Sequence, residues 1–272
     1  PAQRIFGLLG PNGAGKTSLI RIITGITAAD SGKVLFKGEK FSEKHISQIG
    51  YLPEERGLYK KMKVGDQLLY LARLKGLTKA QAKENMHTWI EKFNMGDWLQ
   101  KPIESLSKGM QQKVQFVATI IHNPSLIILD EPFTGFDPIN ANLLKDEILD
   151  LRAKGATIIF STHRMESVEE LCSDIAMINQ AKIVLEGSTK NLRSIEKTTE
   201  YQLITSSKIE SDELLFSILD EKFHEELWHY QLKLHSISPN NFIAKLAANT
   251  SIYLFAAKVP SMNDLFIKAL QL

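Results

Sequence analysis

Apolar residues in this chain fall into short unbroken runs and helically spaced sets, and the alternation between the two predicts its elements. Residues 4–9 (RIFGLL) form an apolar run, GPNGAGKTS at 10–18 interrupts it, and Leu19, Ile22, Ile23 and Ile26 then recur at helical spacing. The order is strand, glycine-rich loop, helix. Further runs follow at 33–36 (KVLF), 49–52 (IGYL), 125–129 (SLIIL), 157–160 (TIIF), 175–178 (IAMI) and 183–185 (IVL). Runs apolar at every position predict strands buried on both faces, as in a parallel sheet between helices.

Between the runs at 49–52 and 125–129 the pattern turns helical. Val64, Leu68, Leu71, Ala72 and Leu74 share one helical face, with Gly76 placed to end the segment. A second helix is predicted over Lys79–Phe93, with Met86, Trp89, Ile90 and Phe93 on one face. This block, about 61–122, reads as a helical subdomain inserted into an α/β domain. After the polar stretch at 188–200 (STKNLRSIEKTTE), the segments YQLITSS, DELLFSILDEKF, WHYQLKLH, SPNNFIAKLAA, SIYLFAAKV and SMNDLFIKAL predict β-α-β-α-β-α, a small α+β domain over 200–272.

Composition narrows the class without naming it. A length of 272 residues, 43% hydrophobic and 24% charged, suits one large domain plus a smaller one and excludes wholesale disorder. Thirty-three basic against 31 acidic residues leave a formal charge of +2, too little to hold a nucleic-acid backbone by charge, so no nucleic-acid partner is expected. A single cysteine, Cys172, allows no intrachain disulfide and points to a reducing, cytoplasmic compartment. No apolar run approaches the ~20 residues that span a bilayer, so a membrane role would come through a partner. The chain opens at Pro1 and enters a strand almost at once, which reads as a fragment lacking its first strands.

The chemistry lies in two motifs. Gly10, four residues, then Gly15-Lys16-Thr17 fits the phosphate-binding loop at every fixed position. Its glycines let backbone N–H groups turn inward around a phosphate, and the helix behind it presents a positive N-terminus. Lys16 would reach the β- and γ-phosphates, and the Thr17 hydroxyl would ligate Mg²⁺. The second motif is the buried run ending in Asp130-Glu131, which sets two carboxylates at the carboxyl edge of the sheet, where ligands of open α/β folds bind. Asp130 would hold Mg²⁺ and Glu131 would act on the attacking water. Read alone, the first motif could be a plain glycine turn and the second a solvated strand end. Together they specify a P-loop nucleoside triphosphatase, of a class they leave open.

Leu106-Ser107-Lys108-Gly109-Met110 narrows the class, because it resembles the LSGGQ signature of ATP-binding cassette (ABC) proteins. Lys108 replaces the first signature glycine and Met110 the glutamine, whereas Ser107 and Gly109 are kept. His163 in TIIFSTHR resembles the switch histidine, FTGFD at 133–137 resembles the D-loop with Asp137 at a contact between two copies, and Glu54 in IGYLPEE stands where the Q-loop glutamine would. These elements follow one another in the family order from the first residue to about Gly187. The segment YLPEERGLY and the domain after the cassette are similar to the sodium-exporter-like (ABC-2 type) group.

The resemblance implies a cassette over 1–195, a P-loop fold with a mostly parallel sheet and helical subdomain, an accessory domain over 200–272, and ATP and Mg²⁺ as cofactors. It implies ATP contacts from Gly10, Pro11, Asn12, Gly13, Ala14, Gly15, Lys16, Thr17 and Ser18, with Ser107, Gly109 and Asp137 serving across a head-to-tail pair of copies. It further implies Thr17, Asp130 and Glu54 as metal ligands and Glu131 and His163 as catalytic residues. ATP hydrolysis would power a separate integral-membrane permease, in export, with the chain held peripherally at the inner face of the membrane. The family's adenine-stacking aromatic would precede residue 1. The rival reading is a soluble ABC-type ATPase acting on nucleic acid or ribosomes; such proteins usually carry paired cassettes, long coiled coils or zinc modules, and this chain has one cassette, no sustained heptads and one cysteine.

Overall fold

The six-stranded sheet that carries the phosphate loop is built from strands distant in sequence, and their order decides what meets at its edge. The computed structural model describes residues 2–55, 57–194 and 199–270. Pro1 and residues 195–198, within the polar stretch read as the domain boundary, lie outside them. In chain order, β1 (Ile5–Leu9) leads into α1 (Lys16–Ile23), a ribbon of β2 (Leu35–Phe36) and β3 (Glu39–Lys40), and β4 (Ile49–Leu52). The helical block follows as α2 (Val64–Leu74), α3 (Lys79–Phe93) and α4 (Lys108–Ile120). Then come β5 (Leu126–Asp130), α5 (Pro138–Ala153), β6 (Thr157–Thr162), α6 (Met165–Leu171), β7 (Asp174–Asn179), β8 (Lys182–Ser188) and α7 (Thr189–Ser194).

The sheet order is β4-β5-β6-β1-β7-β8, parallel except for the final β7–β8 pair. β5 and β6 read IILD and IIFS because both of their faces are covered; Ile127, Ile128, Leu129, Ile158 and Phe160 are buried. Leu8, Ala14, Ile20, Phe36, Ile49, Ile128 and Ile178 form one cluster packed between sheet and α1, directly beneath the phosphate loop. In the helical block, α2 packs on both α3 and α4. Thr78 caps α3 reciprocally with Gln81, and Gly76, at φ +95°, takes the left-handed turn after α2 that only glycine adopts without strain.

Two of the predicted sheet runs turn out differently. Residues 33–36 give only β2, paired antiparallel with β3 in a separate two-stranded ribbon. The 183–185 run lies in β8, an antiparallel edge strand whose Ile183 and Val184 are exposed, so an apolar run there does not mean burial on both faces.

The second unit contains β9 (Glu200–Thr205), β10 (Phe216–His224), β11 (Leu227–Leu234), α8 (Pro239–Ala247) and β12 (Ile252–Ala257); α9 (Met262–Leu270) follows, divided between the two units. Its strands form an antiparallel sheet in the order β10-β11-β9-β12 around Leu203, Tyr230, Leu232 and Phe242. The predicted helix over DELLFSILDEKF is corrected here: most of it is β10, hairpinned to β11 through Glu225 and Glu226, both at positive φ. A two-residue turn of that kind is normally announced by Asn or Gly, and a Glu-Glu pair conceals it. By internal contacts the chain divides into a unit running to Thr189 that also takes in Phe266 onward, and a unit Lys190–Leu265.

Candidate nucleotide site

Four parallel strands end at the same edge, and each hands its next residues to one site. Register pairs Leu9 with Thr162, Asp130 with Ser161, and Leu52 with Leu129. The phosphate loop after β1, Glu131 after β5, His163 after β6 and Glu54 after β4 are therefore carried to one side of the sheet. A cavity of about 240 Å³ there is lined by residues 12–18, Glu54, Asp130 and Glu131.

The loop's shape is set by steric necessity. Gly10 has φ +151°, and a Cβ on it would fall 2.2 Å from the Ile178 carbonyl oxygen. Gly15, at φ +104°, turns the chain into α1, whose first-turn N–H groups have no acceptor within the helix and whose first turn carries no acidic residue. Lys16, only 8% exposed, donates through Nζ to the Gly10 and Pro11 carbonyls at 2.8 and 3.1 Å, folded back over its own loop. Ser18 is exposed at the loop's end.

Thr17 Oγ1 donates to Asp130 Oδ2 at 3.0 Å, joining the two motifs directly. Glu131 sits at φ +50°, an unusual backbone state for a residue with a side chain. Its carboxylate is held on both oxygens: Thr162 Oγ1 donates to Oε2 at 3.2 Å, and the His163 backbone N–H reaches Oε1 at 2.9 Å. His163 Nδ1 lies 2.6 Å from the same Oε1, which assigns the proton to Nδ1 because an ionised carboxylate only accepts.

The donor set fits Mg²⁺. A hydroxyl and carboxylates supply hard oxygen ligands, and magnesium is usually bound by one or two carboxylates together with phosphates and water. Among the described residues there is no group of three or more His, Cys, Asp or Glu side chains that could hold a metal ion.

Ser107, Gly109, Asp137 and the His163 ring do not line this cavity. Ser107 caps α4, accepting from the Met110 N–H, and a Cβ on Gly109 would meet only the Gly135 carbonyl, at 3.9 Å. Asp137 caps α5 and is exposed; the Asn140 backbone and side-chain amides hold its carboxyl below the usual range. Three contributors went unread in the sequence. Thr162 fixes Glu131, the Ala181 N–H binds the Ala14 carbonyl behind the phosphate loop at 3.0 Å, and Gln115 donates to both the Pro53 and Glu55 carbonyls. The signal for Gln115 was a glutamine inside the apolar run VQFVATII.

The ABC transporter family pattern matches residues 1–134. An uncharacterized ABC transporter ATP-binding protein of Bacillus subtilis, YhaQ, is 43% identical over 98% of this chain and 90% of its own length. The chain belongs to the ABC transporter ATP-binding proteins. Another relative, the ABC transporter ATP-binding protein NatA of the same organism, is 34% identical over 75% of the chain and 85% of its own length. A solved ATP-binding subunit of an ABC transporter superposes with a TM-score of 0.67 at 29% identity, covering 71% of the chain and 82% of its own. The cassette is thus an ATPase subunit of the ABC-2 type, with the P-loop fold read from its sequence. Among the described residues no helix is long and apolar enough to cross a membrane.

Proposed function

We propose that this cassette drives a separate membrane permease by closing head to tail on a second copy of itself around ATP, in export, from the inner face of the membrane. The observation that carries the reading is the convergence of Lys16, Thr17, Glu54, Asp130 and Glu131 on one cavity.

In this reading the N–H groups of residues 12–18 take the phosphate oxygens, and Lys16 exchanges the Gly10 and Pro11 carbonyls for the terminal phosphates. Thr17 and Asp130, joined by Glu54, would hold Mg²⁺, which would supply charge neutralisation at the phosphates. Glu131, pinned by Thr162 and His163, accepts a proton from the attacking water. His163 steadies that base through its backbone N–H and Nδ1. Ser107 and Gly109, lying outside the cavity at the N-terminus of α4 with Ser107 exposed, serve the nucleotide of the other copy, with Asp137 at the contact.

The permease docks on the helical block, about 61–101. A mostly apolar groove of about 570 Å³ supports this: Leu71, Leu74 and Lys75 of the block form one wall, with Ile46, Ile49 and Leu58 outside the block opposite them, next to the loop that carries Glu54. Export follows the likeness of the 51–59 segment and the C-terminal unit to sodium-exporter-like members.

Glu131→Gln tests the core of the proposal. ATP, and not ADP, should convert the variant to a dimer by light scattering while hydrolysis stops. Hydrolysis at the wild-type rate would remove Glu131 from its role, and an ATP-bound monomer would remove the closure. A membrane protein that co-purifies with the intact chain tests the permease.

A further inference from the structure

The loop bearing Glu54 is fastened to the helix whose N-terminus carries the signature serine. Gln115 lies eight residues beyond Ser107, on the third turn of α4, and is 4% exposed. Its Nε2 is 3.3 Å from the Pro53 carbonyl and 3.3 Å from the Glu55 carbonyl. One amide nitrogen has two protons, and here they go to the carbonyls of the residues on either side of Glu54. The backbone is thereby gripped around Glu54, while its exposed side chain faces the cavity. One turn further along α4, the Thr119 hydroxyl approaches the Tyr51 carbonyl at 3.5 Å, on the same side of the helix.

Burying this amide has a cost, because only its nitrogen is paired. Gln115 Oε1 is buried with no hydrogen-bond partner among the described residues. An apolar residue of the same volume would leave no such acceptor, so what the amide contributes is its two donated bonds.

We propose that Gln115 is a positioning residue of the ATPase site: it sets where the Glu54 carboxylate stands in the phosphate cavity, and so ties the position of the signature helix to the strength of metal binding. The proposal rests on Glu54 being a ligand of that cavity, as argued above. Moving α4 relative to the sheet shifts both gripped carbonyls, and Glu54 with them. Gln115 touches neither nucleotide nor metal and acts only through Glu54.

The test is binding of a fluorescent, non-hydrolysable ATP analogue to the intact chain, titrated with Mg²⁺ and separately with Mn²⁺. Gln115→Leu should raise the Mg²⁺ needed for half-maximal binding about fivefold, within the usual range of coupling between touching residues. Metal-free binding should stay as in the wild type, and so should the melting temperature, since the substitution also removes an unpaired acceptor. Gln115→Glu, with no donor for either carbonyl, should raise the requirement further. In a Glu54→Gln background Gln115→Leu should have no additional effect. An unchanged Mg²⁺ requirement in Gln115→Leu, or effects of the two substitutions that simply add, would overturn the proposal. Gln115→Met gives the same comparison if the leucine variant does not fold. A wild-type chain that binds the analogue at no metal concentration would instead defeat the phosphate-site reading beneath it.

Discussion

One carboxylate oxygen of Glu131 accepts from His163 twice, from its backbone N–H at 2.9 Å and from Nδ1 at 2.6 Å. The two residues are 32 apart in sequence and adjacent in space because β5 and β6 are neighbouring parallel strands with Asp130 opposite Ser161. Glu131 is 7% exposed and His163 keeps half of its side chain in solvent. The base is therefore held by bonds on both oxygens while its partner stays half in solvent.

Thr162→Val removes the hydroxyl on the other Glu131 oxygen with little change of volume. That hydroxyl also accepts from the Arg164 N–H at 3.1 Å, so the variant loosens the turn as well as the base. ATP turnover should fall about tenfold, the effect of one lost hydrogen bond to a charged group, with KM unchanged. Steady-state kinetics check this, and a KM effect alone would assign Thr162 to binding.

Lys16→Met keeps the length of the side chain and removes its charge. Phosphate affinity should fall by about 10- to 100-fold, the worth of charge-assisted hydrogen bonds, when nucleotide binding is measured by calorimetry. Fold stability should change little by comparison, because the bonds lost in the free protein are those to the Gly10 and Pro11 carbonyls.

His122 makes stability depend on pH. Burial and the nearby Lys75 cation push its imidazole down from 6.5 to about 4, and its Nε2 bonds the Ile49 carbonyl at 3.2 Å. The unfolded chain then binds the proton more tightly, so the contribution is full above about pH 6.5 and is lost as pH falls toward 4, on the order of a few kcal/mol over the window. Thermal melts of the wild type and His122→Asn between pH 7.5 and 5 should show a shallower decline in the variant.

Lys92→Met should destabilise the join between the helical block and the sheet domain. Lys92 Nζ lies 2.5 Å from Glu147 and 2.8 Å from Asp150 on α5, and Glu147 is 3% exposed with its other oxygen unpaired among the described residues. Removing the cation leaves a buried carboxylate uncompensated; with Lys92 itself partly in solvent, a loss of ~2 kcal/mol is expected in urea unfolding. Adding Glu147→Gln should restore most of it.

Much of the site was legible in the chain because its parts are local. A phosphate loop needs its glycines, lysine and threonine within eight residues, and Asp130-Glu131 closes a buried run, so spacing alone located both. The C-terminal hairpin was not legible. Its turn is a Glu-Glu pair held at positive φ by the pairing of β10 with β11, and the leucines of that segment fit a helix as readily. The same is true of β8, whose apolar run lies on an exposed edge.

The sequence by itself determined which groups can handle a triphosphate, because hydroxyl, ammonium and carboxylate chemistry belongs to residue types, and loop and strand ends follow from short-range periodicity. Only the tertiary structure decided which of them meet. The sheet order puts the ends of β1, β4, β5 and β6 on one edge, and this brings Glu54 into the cavity with Asp130 and sets Thr162 against Glu131. It also places Gln115 behind the Glu54 loop. Strand pairing is a long-range choice made by burial of whole faces, and no local run of residues records it.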